Sequence, residues 1–192
     1  MNARDDILAR IRANQPAPTA LPAVPLFDSA GTDLVQRFKA GVTRMGGRVV
    51  ESGDALGSIV RELHPDARVV CSATSELNGT RRLVPKESPA SFEDVDVGVV
   101  RARFGVAETG SVWLTDADFV VSALGFLSQH LVVLLDPAHI VPDMHHAYRR
   151  RAEFEAGYGV FMTGPSATAD IEGILIHGAQ GIRSLAVVLR AS

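Results

Sequence analysis

A single cysteine in 192 residues removes several classes of protein at once. Cys71 has no partner for an internal disulfide. Without a thiol cluster the chain cannot ligate an iron–sulfur cluster or a structural zinc through cysteine, and no metal site is expected. No apolar run approaches the roughly 18 residues that a membrane-spanning helix needs. The stretch MNARDDILAR carries acids where a secretory signal has an uninterrupted apolar segment, so a cytoplasmic protein is expected. Basic residues are not in excess: 19 Lys and Arg stand against 22 Asp and Glu, a formal charge of -3. With aromatics at only 6%, the basic face and interleaved rings of a nucleic-acid binder are missing. The one basic run, Arg149, Arg150 and Arg151, sits beside Glu153 and Glu155 and reads as the solvated face of a helix.

What is present is the composition of an ordinary globular chain, 46% apolar and 21% charged, with enough length to bury one substantial core. Residues 1–15 form a unit of their own, because Ile7, Leu8 and Ile11 make a short amphipathic helix between Asp5 and Asn14. Pro16, Pro18, Pro22 and Pro25 follow, fixing φ and removing amide donors, so 16–25 reads as an extended linker. A helix tethered this loosely docks either on a partner or on its own domain. Residues 26–192 read as a single α/β domain without internal repeats.

Within that domain helix and strand patterns alternate. A helical stretch from Thr32 to Met45 ends at Gly46–Gly47, RVVES follows as a strand, Asp54 to Leu63 as a helix and ARVVCS as a strand. Such alternation implies crossover units and a mostly parallel open sheet flanked by helices. HLVVLLD is the most apolar run and is expected at the centre of the sheet, followed by a helix from Asp143 to Ala156 and the strands YGVFMT and SLAVVLR. The connection between DVDVGVV and SVWLT is too short for a crossover, which predicts a hairpin or bulged pair there.

Two stretches carry chemistry. TGPSATADIE follows YGVFMT, at the strand end where open α/β sheets bind ligands. Gly164 permits a tight turn. Ser166, Thr168 and Asp170 offer hydroxyls and a carboxylate, either as ligand contacts or as caps of a following helix with Glu172 near its third position. In VAETGSVWL, Glu108, Thr109 and Gly110 interrupt two apolar runs. A carboxylate in that setting is paired, solvated or used, so Glu108 is a candidate general base, nucleophile or hydroxyl acceptor, or an edge glutamate facing water. His177 precedes a glycine turn and is placed either facing the crevice or at the surface. His145 and His146 are adjacent and diverge by roughly 100° on a helix, so they cannot share one metal. Cys71 ends a strand, where a buried inert thiol is the ordinary case.

AETGSVWL and TGPSATADIE in this order, with HIVPDM between them and IHGAQG after, resemble the LUD domain family, specifically lactate utilization protein C. The resemblance runs from Asp94 to the C-terminus. It implies a fold similar to the ribose-phosphate isomerase, CoA-transferase and 5-formyltetrahydrofolate cyclo-ligase superfamily. It also implies a place in a three-component system oxidising L-lactate to pyruvate, in which a sister subunit holds the iron–sulfur clusters. The sequence departs from the family where SALGFLSQHLVVLL replaces a Ser-Leu-Leu-Pro-Pro stretch and where Ala179 stands for the usual proline. Three readings follow: an accessory or regulatory subunit of that system with a small-molecule or anion-binding cleft; a free-standing isomerase, CoA-transferase or cyclo-ligase-like enzyme using Glu108; or an interaction scaffold. On either of the first two, Glu108 and the Ser166 loop are expected to share one cleft, with the strands leading to both in the main sheet.

Overall fold

The structure, a computed structural model, describes residues 2–17, 19–20, 22, 25–26, 31, 33–51, 53–155, 157–168, 173–174, 176–178 and 180–191. Five strands form a fully parallel sheet in the spatial order β1-β11-β6-β3-β2: Arg48–Val50 (β1), Val70–Ser72 (β2), Val97–Arg101 (β3), His130–Leu135 (β6) and Ser184–Leu189 (β11). HLVVLLD therefore supplies the central strand, as its unbroken apolar run requires of a strand covered on both faces. Successive residues of β6 alternate faces. Val132 and Leu134 pack with Leu56, Ile59 and Val60, the i, i+3, i+4 stripe of α3 (Leu56–Leu63). Leu131, Val133 and Leu135 turn the other way and join Phe38 and Val42 of α2 (Leu34–Arg44).

That second face is where expectation and structure part. It is covered largely by another sheet, ordered β7-β4-β5-β8, made of Phe104–Val106 (β4), Ser111–Thr115 (β5), Ile140–Val141 (β7) and Gly159–Met162 (β8). Val112 and Leu114 of β5 belong to the same buried cluster as β6 and α2. Both SVWLT and YGVFMT thus lie outside the parallel sheet, contrary to the expectation that they belong to it. The expected hairpin exists, but its first strand is β4 rather than DVDVGVV. The crossing between sheets takes two residues: the Ala102 amide donates to the Leu134 carbonyl at 2.8 Å, and the Arg103 amide to the Trp113 carbonyl at 3.1 Å. No glycine or proline marks this step in the sequence.

The outer face of the second sheet carries Phe104, Val106 and Trp113, closed by Ala147 of the short α6 (Met144–Tyr148). The helix expected from Asp143 to Ala156 is broken: α6 stops at Tyr148, and a 3-10 turn runs from Arg151 to Phe154. Arg150 is correspondingly not a solvated charge. Its guanidinium lies over the Phe104 ring at 4.9 Å, and it donates to Glu153 at 3.3 Å. α4 (Asp116–Phe119) and α5 (Ala123–Leu127) connect β5 to β6, and β9 (Ala167–Thr168) pairs antiparallel with β10 (Ile176–His177). The N-terminal helix, α1 (Ala3–Ala13), is capped by Asn2 and has no buried residue.

Candidate functional site

The turn carrying Glu108 is locked from three sides. The Gly110 amide closes it onto the Val106 carbonyl at 2.9 Å, and Gly110, at φ +70, lies directly on the backbone of Gly41 and Val42 in α2. The Glu108 amide donates to the Pro142 carbonyl at 3.1 Å, and its carbonyl accepts from Arg44 at 3.0 Å. Its carboxylate Oε2 accepts from the Met144 amide at 3.2 Å, the first amide of α6, while Asp143 accepts from the His146 amide at 2.9 Å. Exposed as it is, Glu108 acts as a cap supplied from a neighbouring turn. Glu108→Gln keeps an acceptor oxygen and is expected to leave the melting temperature within about 2 °C of the parent. Glu108→Ala removes the cap and should cost about 0.5–1 kcal/mol in urea unfolding.

Thr109 joins this turn to the other stretch. Its carbonyl accepts from the Thr163 hydroxyl at 3.4 Å, because β5 and β8 run antiparallel with Val112 opposite Met162. Gly164 follows at φ +59, packed so closely under the Met45 carbonyl that no side chain fits. Ser166 is exposed, and its carbonyl accepts from the Gly178 amide. Thr168 is a strand residue opposite Ile176. Asp170 and Glu172 lie outside the described residues. The backbone of His177 pairs with Ala167, and nothing further is described of its side chain.

The loop does border a cleft. It measures about 400 Å³ and is lined by Phe126, Phe161, Thr163, Gly164, Ser166 and Gly181, among others. Glu108 and Thr109 are not among its lining residues. The structure therefore brings the two motifs to one edge of the second sheet and joins them by a hydrogen bond, while the Glu108 carboxylate is turned to α6. The cleft offers hydroxyl and amide groups and aromatic walls, with no charged side chain in its lining among the described residues. This suits a small hydroxylated or carboxylated molecule held by neutral donors.

A second crevice, of about 500 Å³, opens at the amino-terminal ends of the parallel strands between His64, Asp66, Asp96, His130 and Arg183. The His64 and His130 rings stack with centroids 4.1 Å apart, and His130 Nδ1 meets the Ser184 hydroxyl at 2.8 Å. Burial, then His130 and Arg48, lowers the His64 pKa to about 4. Burial and Arg183 lower that of His130, against the pull of Asp96. Sequence reading missed this pair because His64 ends α3 and His130 opens β6, and nothing local links them. Cys71 is buried, and its thiol is pushed up by that burial, with the charge of Arg81 acting the other way. This is the inert thiol that its position in a strand suggested. Among the described residues no group of three or more His, Cys, Asp or Glu is arranged to hold a metal, and no helix is long and apolar enough to cross a membrane.

A model of the LUD domain matches residues 81–189, which span β3 to β11 and both motif-bearing edges. The chain belongs to the LUD domain family. An uncharacterized protein of Neisseria meningitidis serogroup B is 26% identical across 98% of this chain and 93% of its own length. The uncharacterized protein YkgG of Escherichia coli is 32% identical over 101 residues, covering 50% of this chain and 44% of YkgG. The crystal structure of a DUF162 family protein from Deinococcus radiodurans superposes with a TM-score of 0.66 at 18% identity, over 82% of this chain and 96% of that one. At that identity the likeness speaks for the fold alone.

Proposed function

We propose that this LUD-domain chain is an accessory or regulatory subunit of an iron–sulfur L-lactate-oxidising system in the cytoplasm, and that the cleft beside Gly164 and Ser166 takes a small hydroxylated or carboxylated ligand. The lactate assignment rests on the family and on the resemblance to lactate utilization protein C. The division of labour rests on the chain itself: its lone thiol is buried, so clusters must be held by another polypeptide.

The observation that carries the subunit reading is α1. An isolated helix of 11 residues is marginal in water, yet among the described residues none of α1 is fully buried, Leu8 is only half-buried, and Ile7 and Ile11 are more than half exposed, at 57% and 54%. Two apolar side chains one turn apart on an unpacked helix suit docking into a groove of a partner chain. The Glu108 carboxylate caps α6 through the Met144 amide, a role that the subunit reading accommodates without asking the group for proton transfer.

Deleting residues 1–25 is therefore expected to leave the melting temperature within about 2 °C of the full chain and to abolish co-purification with an iron–sulfur partner co-expressed from the same host. Retained co-purification would move the interface off α1. A large loss of stability would place α1 in this domain's own core.

A further inference from the structure

The carboxyl end of β2 holds a cavity of about 570 Å³, larger than the cleft beside Gly164. Its polar lining comes from Ser72, Thr74, Asn78, Arg81 and Arg82, and no carboxylate lines it. The chain builds it by doubling back on the strand end. The Ala73 amide donates to the Val99 carbonyl at 2.8 Å, continuing the parallel ladder one residue past β2. Ser72 Oγ then accepts from the Thr74 amide at 3.1 Å, drawing both hydroxyls to one side of the bend. The returning segment is pinned by the Arg81 amide on the Val70 carbonyl at 3.2 Å, so Arg81 and Arg82 are set beside the strand end by backbone pairing rather than by chance side-chain placement.

The two arginines are differently held. Arg81 donates from Nη1 to Asp94 at 2.7 Å and lies over the Phe92 ring at 5.3 Å. Its buried Nε and Nη2 have no hydrogen-bond partner among the described residues. Arg82 is exposed, with no side-chain ion pair or hydrogen bond among the described residues. Across the cavity stands Val120, a β-branched residue at φ 64 and ψ -47, a conformation such side chains avoid and which persists only where its surroundings enforce it. The carboxyl end of a strand in a parallel sheet is also where the topology of open α/β folds leaves a crevice.

We propose that this cavity is a binding site for a small oxyanion, a carboxylate or a phosphate group, separate from the cleft beside Gly164. The Arg82 guanidinium makes the charged contact, in the two-pronged geometry that suits either group. The Asn78 amide adds neutral donors, the Ser72 hydroxyl, which donates to the Thr74 carbonyl at 3.2 Å, adds a polar wall, and Arg81 stands behind them paired with Asp94.

The test is titration of the full chain at low ionic strength with sodium phosphate and, separately, with sodium pyruvate, followed by calorimetry and by amide chemical shifts. The expected result is saturable binding of at least one of them, shifts centred on residues 72–82, and binding weakened about tenfold or more in Arg82→Gln. Arg37→Gln, on α2 and outside this cavity, should bind as the parent does. Whichever salt binds more tightly identifies the oxyanion class. Absence of saturable binding of either salt overturns the proposal, as does equal weakening in Arg82→Gln and Arg37→Gln, which is the mark of diffuse attraction. Shifts centred on residues 163–166 instead would also overturn it, while supporting the cleft of the proposed function.

Discussion

Gly110→Ala is expected to cost at least 4 kcal/mol of stability and to lower the melting temperature by roughly 10 °C or more, or to yield insoluble protein. Two effects add. Gly110 sits at φ +70, where an L side chain costs about 1–2 kcal/mol. The larger effect is overlap: a Cβ there falls 2.2 Å from the Val42 amide nitrogen and 2.4 Å from the Gly41 carbonyl carbon. Those are backbone atoms of a helix, so no rotamer change relieves the clash, and α2 must lift away from the turn. Its residues Phe38 and Val42 are both fully buried in the cluster between the two sheets. Lifting α2 opens that core, and a domain of this size has only about 5–15 kcal/mol to lose. Fluorescence of Trp113, the single tryptophan, reports the loss in urea, since its ring is buried against Phe154 and Phe161. A variant melting within 2 °C of the parent would show that α2 and the turn do not pack as described. The result bears on function as well, because it separates the architectural glycine of AETG from the chemistry of Glu108.

Lowering the pH from 7 toward 5 is expected to destabilise the protein before most of its carboxylates titrate. Folded His64 has a pKa of about 4 against an ordinary 6.5, and His130 is lowered too. The folded state thus binds fewer protons than the unfolded chain in this window, and stability must rise with pH across it. Read downward, stability is level above about pH 6.5 and falls progressively to about pH 4. The His64 shift alone corresponds to about 3 kcal/mol at full strength. Partial exposure of the ring to solvent reduces this to about 1–2 kcal/mol, a melting shift of roughly 5 °C. Asp96, whose carboxylate is held below the usual range by the Val69 and Arg68 amides, and Glu76 and Asp143, also lowered, begin to lose their contributions as the pH falls through about 5, so the histidine effect is read between about pH 7 and 5. Thermal melts in steps of half a pH unit check the slope, and His64→Leu should flatten it between about pH 6.5 and 5. An unchanged slope in that variant would mean the stacked pair is not the source.

Much of this protein was legible in one dimension. The parallel sheet, its central strand at HLVVLLD, α2 and α3 all follow from periodicity, because the patterns behind them are local: an unbroken apolar run for a strand buried on both faces, an i, i+3, i+4 stripe for a helix buried on one. The unpacked character of α1 agrees with its few apolar residues and the prolines that follow. The family was legible as well, since AETGSVWL and TGPSATADIE are short, ordered and specific.

Tertiary structure decided the rest, and in each case the reason is a contact between distant segments. From its sequence DVDVGVV is expected to pair with SVWLT, yet Ala102 completes the ladder with β6 while Arg103 opens the hairpin with β5, a choice set by which neighbour offers the free carbonyl. Glu108 shows its capping contact only once the Met144 amide is seen beneath it. His64 and His130 are unremarkable singly and become a stacked pair only when the end of α3 meets the start of β6. Arg82 is one more surface cation until the return of the chain past β2 sets it beside Ser72 and Thr74. Composition and local period determine which segments become helices and strands, because those depend on the nearest few residues. Which sheet a strand joins, and what a polar side chain is for, depend on partners that only folding brings within a few ångströms.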